Sequence, residues 1–260
     1  MPSHKAAWRA TQGARNYQED TAIIWPGSSL PDLDSDAVEP DRLIAVLADG
    51  MGGRAGGAIA SRTVCECFVR ACTECHGPWA KRLWSALEAA NLAIARAVAW
   101  CPALAGMGST VIGATFGPEG LQWVSVGDSP LYLIRRGKIA LLNEDHSLAP
   151  LLDQLAAEGA MTCEEAQSDP RRHVLRSAVT GGDLELVDFS RAPLPVESGD
   201  CVILASDGIH TLEPSEIASI VASSGDEGPD TIAEALIQAV EQAREPFQDN
   251  TAVVVVRPAA

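Results

Sequence analysis

Residues 43–50 read LIAVLADG and residues 201–208 read CVILASDG. In each, an apolar run leads into an Asp-Gly pair, the pattern of a buried strand that delivers a carboxylate at its end. A third pair, Asp249-Asn250, instead opens the strand-like run NTAVVVV at 250–256. Three carboxylates far apart in sequence are thereby expected to meet in space. Clustered like charges cannot all stay ionised without a counter-charge, and a bound hard cation or two would supply it. A metal-dependent enzyme is the first expectation.

Outward from these pairs, further strand-like runs fall at 21–25, 109–116, 121–127, 130–135, 138–142 and 184–189. Many are rich in Val, Ile and Thr, and several follow one another at hairpin spacing. Helical periodicity covers 55–75, 81–100, 214–222 and 230–244, the second just after Pro78 and the last N-capped by Asp230. Strands in runs with paired helices between them predict an α+β fold, largely antiparallel sheets with helices on their faces. The polar stretches 26–42 and 223–229 read as surface loops, there is no internal repeat, and one domain over 1–260 is expected. Residues 147–180 carry weaker helical pieces, a capping box from Thr162 to Glu165, and Arg171, Arg172 and Arg176, which suggests a mobile flap over a site.

Composition narrows the function. With 47% hydrophobic residues the chain can bury an ordinary core, and a net charge of -16 argues against nucleic acid and anionic membrane surfaces as partners. The first residues, MPSHKAAWRATQ, lack a signal peptide's apolar core, and no stretch nears the ~20 apolar residues that span a bilayer. Seven cysteines at irregular spacing point to reduced thiols and a cytoplasmic location.

The segment Arg15-Asn16-Tyr17-Gln18-Glu19-Asp20 adds a guanidinium shortly before two carboxyls, so a metal and a phosphate could be held together. In order along the chain stand ADGMGG (48–53), MGST (107–110), VGDSPLY (126–132), EDHSL (144–148), ASDGI (205–209) and DNTAVVVV (249–256). Together they resemble the type 2C, metal-dependent protein phosphatase family, from Arg15 to Val256. The resemblance implies a four-layer α-β-β-α sandwich, two antiparallel sheets flanked by helices, with two and up to three Mn²⁺ or Mg²⁺ ions at one edge. It implies that Asp49 bridges two metals, with the Gly50 carbonyl, Asp207 and Asp249 as further ligands and Glu19 or Asp20 completing the set. Asp128 would join Asp207 at a third ion, and Arg15 would bind the substrate phosphate.

The activity so implied is hydrolysis of phosphoserine and phosphothreonine by in-line attack of a hydroxide held between the metals. The implied partners are phosphoproteins, including a cognate Ser/Thr kinase or its targets, and a monomer is expected. Rival readings are a pseudophosphatase binding module and a hydrolase of small phosphoesters. Two positions depart from the family pattern: Met51 stands where many members have His, and Pro130 where many have Arg.

Other motifs have bland readings. Cys72 to His76 matches a haem-attachment string, and with Cys65 and Cys67 it could suggest zinc, but half-buried helical thiols explain it. Asp32 to Asp36 starts like a calcium loop yet lacks the required Gly and Glu. His146 is expected to be structural, and the other four His are assigned no role.

Overall fold

The computed structural model describes residues 4–28, 30, 39, 41–52 and 56–259. Its strands are β1 (His4–Thr11), β2 (Asp20–Trp25), β3 (Leu43–Met51), β4 (Gly108–Ser109), β5 (Val111–Gly117), β6 (Gly120–Val126), β7 (Leu131–Arg135), β8 (Lys138–Leu141), β9 (Asp188–Phe189), β10 (Cys201–Ala205) and β11 (Thr251–Pro258). Its helices are α1 (Gly56–Glu74), α2 (Trp79–Trp100), α3 (Ala149–Ala157), α4 (Cys163–Ser168), α5 (Pro214–Ser223) and α6 (Pro229–Ala243). One sheet has the order β1-β11-β10-β7-β8 and the other β2-β3-β5-β6-β9, with β4 beside β3. Every pairing is antiparallel.

Strand alternation builds four layers. On β3, Leu43, Ala45 and Leu47 meet Val202, Leu204, Ala252 and Val254 of the opposite sheet, while Ile44, Val46 and Ala48 face α1 and α2. On β11, Ala252, Val254 and Val256 point into the gap between sheets, whereas Val253 and Val255 pack with Ile232, Leu236 and Val240 of α6. Both faces of each central strand are buried, which is why these runs are apolar without interruption. The turn from β7 to β8 places Arg136 at φ 52° and Gly137 at φ 74°, the backbone of a two-residue hairpin turn with the strand twist.

The structure departs from the sequence expectations at several points. Strand β1 was not anticipated, yet it pairs with β11 from His4↔Pro258 to Thr11↔Thr251. It is an edge strand, and its Ala-rich, partly charged sequence has little strand propensity of its own. The run at 184–189 pairs only at Asp188 and Phe189, where β6 offers it two partners. The N-cap of α6 is Gly228 rather than Asp230, which lies in the first turn and pairs with Arg9. The capping box from Thr162 to Glu165 is present on both sides. In α1, Cys65 and Cys72 are buried core residues, and the helix ends before His76, so these side chains share no helical face with it. The Asp32 to Asp36 stretch lies outside the described residues.

Residues 147–180 are pinned at both roots. Ser147 bridges to Leu175, Ser109 bridges to Val179, and Arg172 ties back to Asp153 of α3 at 2.7 Å.

Gly113 of β5 lies beneath Phe68 of α1, and a Cβ there would sit 2.1 Å from the ring. Phe68 is fully buried, so the ring has nowhere open to retreat. Gly113→Ala is expected to cost about 1–3 kcal/mol, seen as a lower melting temperature. An unchanged melt would mean that α1 does not pack on this sheet as described.

Candidate functional site

The strand ends that carry the acidic residues meet at the mouth of the gap between the sheets. Asp20 and Asp49 are direct cross-strand partners of β2 and β3, so their side chains lie on one face. That face is the inter-sheet face, since Ala22 and Ile24 follow Asp20 at the same parity. From the other sheet, Asp207 follows β10 in a short helical turn (Asp207–Thr211), and Asp249 precedes β11. Asp128 lies in the β6–β7 connection.

Both Asp-Gly pairs owe their glycine to close approach. A Cβ on Gly50 would lie 2.1 Å from the Gly57 carbonyl oxygen, and one on Gly208 would lie 2.2 Å from that of Asn250. Neither Gly50 nor Gly208 has a positive φ. The glycines let α1 and β11 press against the strand ends, which brings the carboxyls together.

Electrostatics report the crowding. Burial, then the charges of Asp207 and Asp249, push the Asp20 carboxyl up to about 7, although hydrogen bonds from Ser206 and with Asp49 oppose the rise. Asp49 is raised well above the usual carboxylate range by burial and then by Asp20, Asp207, Asp128 and Asp249. Asp128 rises to about 7 through burial and then Asp207 and Asp145. Asp207 is raised by burial and Asp249, offset by Asp49, His210 and His173.

Among the described residues no group of three or more His, Cys, Asp or Glu side chains is arranged so that it could hold a metal ion as it stands. That holds for the Cys65 to His76 cluster, where nothing else favours a metal. The acidic cluster differs in having donor-seeking oxygens: Glu19 Oε1, Asp20 Oδ1 and Asp207 Oδ1 are buried without a hydrogen-bond partner. Buried anionic oxygens without donors, in an all-oxygen set, suit hard divalent cations such as Mg²⁺ or Mn²⁺. Asp20, Asp49, Asp128, Asp207 and Asp249 are coupled by charge in one cluster. Glu19 Oε1 lies at the start of α1 beside the Gly50 carbonyl: a Cβ on Gly57 would be 2.3 Å from the first and 2.7 Å from the second.

Arg15 reaches the cluster, with its guanidinium on the Asp249 carboxylate rather than on Glu19. The loops carrying them are braced by buried amides. Asn250 accepts from the Glu19 N–H at 2.8 Å through Oδ1, and its Nδ2 donates to the carbonyls of Gln12 and Tyr17 at 2.8 and 2.9 Å. The Ser206 hydroxyl donates to Asp20 Oδ2 at 2.7 Å while accepting from the Ala252 N–H. The Asp49 N–H donates to Thr110 Oγ1, and the Gly127 N–H to His146 Nδ1, which makes His146 a structural residue as expected.

Sequence reasoning gave no role to His173, His210 or Asp145, whose charges act on the carboxyls, although His210 lies three residues after Asp207 and Asp145 lies in the EDHSL segment. It also gave no role to Ser206, although that residue keeps the inter-sheet parity of Val202 and Leu204.

The raised carboxyls give a signed pH dependence. In metal-free protein Asp20 and Asp128 keep protons up to about pH 7 that an ordinary aspartate releases near 3.8. Between those values the folded state binds more protons than the unfolded state, so stability falls as pH rises. Melting in EDTA is expected to be higher near pH 5 than near pH 8, with a flatter slope in Asp20→Asn and Asp128→Asn. Equal slopes in wild type and both variants would show that these carboxyls are not buried together.

Comparison with known proteins agrees with this geometry. The profile of the protein phosphatase 2C family matches residues 32–253. The serine/threonine protein phosphatase PstP of Mycobacterium tuberculosis is 35% identical over 175 residues, which are 67% of this chain and 33% of that protein, so the chain spans about a third of the length of this relative. The protein phosphatase PhpP of Streptococcus pneumoniae is 32% identical over 194 residues, covering 70% of this chain and 74% of PhpP. The crystal structure of the M. tuberculosis phosphatase PstP/Ppp superposes with a TM-score of 0.77 at 30% identity, over 99% of both chains. The catalytic domain of PstP in complex with two manganese ions gives 0.76 at 28% identity, again over 99% of both. With its fold, its acidic cluster and these relatives in agreement, the chain belongs to the protein phosphatase 2C family.

Proposed function

We propose that this chain is a divalent-metal-dependent phosphatase that removes phosphate from phosphoserine and phosphothreonine in proteins. The observation that carries the reading is the convergence of Asp20, Asp49, Asp128, Asp207 and Asp249, with buried oxygens lacking donors, beside Arg15. The names of the relatives, and the two manganese ions in the PstP complex, support it. A binding module without catalysis would have no use for so costly a set of desolvated carboxyls.

Asp49, Asp207, Asp249 and the Gly50 carbonyl are the proposed metal ligands, with Asp20 or Glu19 beside them. Asp128 and Asp207 are assigned to a third ion. The chemistry such ions supply when bound is acidification of a water and neutralisation of charge on the phosphoryl oxygens. Ser206 fixes the rotamer of Asp20, and Thr110 and Asn250 hold the backbone beside Asp49 and Glu19, so the ligand oxygens are set before substrate arrives. Arg15 presents a planar fork that can exchange its carboxylate partner for two phosphoryl oxygens.

The proposed substrates are phosphoproteins, a Ser/Thr kinase or its targets among them. All seven cysteines are free thiols, and no helix among the described residues is long and apolar enough to cross a membrane, which supports a cytoplasmic setting.

Phosphate release from a phosphothreonine peptide is expected with Mn²⁺ and not with EDTA, and Asp207→Asn should lower it by at least about 100-fold. Wild-type rates in that variant would reject the metal assignment. Arg15→Ala should act mainly on KM, raising it about 10–100-fold through loss of a charge-assisted hydrogen bond to phosphate. Equal turnover of a nucleoside monophosphate would redirect the reading to small phosphoesters.

A further inference from the structure

We propose that Tyr17 and Phe247 form an aromatic rim that binds apolar side chains flanking the phosphorylated residue of a peptide substrate, an inference that rests on the phosphatase reading above.

Phe247 is 91% exposed and Tyr17 59% exposed. Each stands next to the proposed chemistry, Tyr17 midway between Arg15 and Glu19, and Phe247 two residues before Asp249. Their exposure does not come from loosely held backbone. Asn250 Nδ2 donates to the Tyr17 and Gln12 carbonyls, and the Ala14 N–H donates to the Gln248 carbonyl at 2.8 Å. The Gln248 side chain is buried, bonded to Thr211, Gly208 and Thr251. Gln248 and Asn250 turn inward while Phe247 between β11 and α6 stays out, so one braced pair of loops carries both exposed residues and the Arg15–Asp249 pair.

Charge selects the occupant. At a net charge of -16 the protein's field opposes an acidic or uncharged-flank phosphopeptide, so its affinity has to come from short-range contacts. Arg15 supplies one for the phosphate. Asp249 and Glu245 flank Phe247 in sequence and disfavour an acidic neighbour of the phosphorylated residue, whereas two rigid aromatic rings gain by covering an aliphatic one.

The test uses Mn²⁺-loaded protein and three substrates: p-nitrophenyl phosphate, a phosphothreonine peptide with Leu on both sides, and the same peptide with Ser on both sides. Wild type is expected to favour the Leu peptide about tenfold in kcat/KM, mainly through KM, as burial of one aliphatic side chain implies. In the double variant Tyr17→Ser, Phe247→Ser that preference should vanish, and the ratio of Leu-peptide to p-nitrophenyl phosphate turnover should fall by the same factor. Fluorescence anisotropy of labelled peptides should show the same loss in binding. Wild type that turns over p-nitrophenyl phosphate but treats the peptides alike would overturn the rim and leave the phosphatase reading standing. A uniform loss on all three substrates would assign the two residues a structural role and overturn the rim as well. No turnover of any substrate would overturn both readings.

Discussion

Carboxyls gathered at the mouth between two sheets, largely out of water, are the constraint on which the architecture turns. Each repels the next, and burial adds to the cost, so Asp20 and Asp128 are pushed to about 7. A soft scaffold would relieve this by letting the side chains swing into solvent. Here Asp20 and Asp49 are cross-strand partners in one sheet, and Asp207 and Asp249 flank strands of the other. Two sheets joined by an apolar core cannot be spread without exposing that core, so packing energy holds the charges together. The neighbours match: Ser206 donates to Asp20, Asn250 donates to loop carbonyls, Thr110 accepts from the Asp49 N–H, and several carboxyl oxygens stay unmatched for a cation.

Much of this was legible in the chain because two-sided burial leaves a clear trace. LIAVLADG and CVILASDG are apolar at both parities, since one parity meets helices and the other the facing sheet. The long helices were legible for a similar reason: α1 repeats its buried positions at helical spacing, from Ala60 through Val64 and Phe68 to Cys72. Strand β1 was not legible, because its stability comes from eight pairings with β11 and little from its own residues. Nor could one sequence reveal why Gly50 and Gly208 follow the aspartates. Only the positions of Gly57 and Asn250 show that the glycines make room for passing backbone.

The acidic residues themselves were visible as strand-end carboxylates, but their neighbourhood was not. His173 and Asp145 act on Asp207 and Asp128 from other segments, and His210 acts from three residues after Asp207 in the same short helical turn. Arg15 was anticipated beside carboxyls, though its partner proved to be Asp249, more than two hundred residues away, and not Glu19 nearby.

The pairing of β1 with β11 has a temporal side. Asp249, the Asn250 amide that braces the Arg15 loop, and the sheet partner of β1 among the described residues all come with β11, more than two hundred residues after β1. Contacts this distant in sequence form late in folding, after the loop-closure cost of the intervening chain has been met. A nascent chain that has not yet released β11 therefore carries Asp20, Asp49 and Asp207 without the strand that joins them to Arg15. The Arg15–Asp249 pair and the Asn250 brace are therefore in place only once β11 has docked.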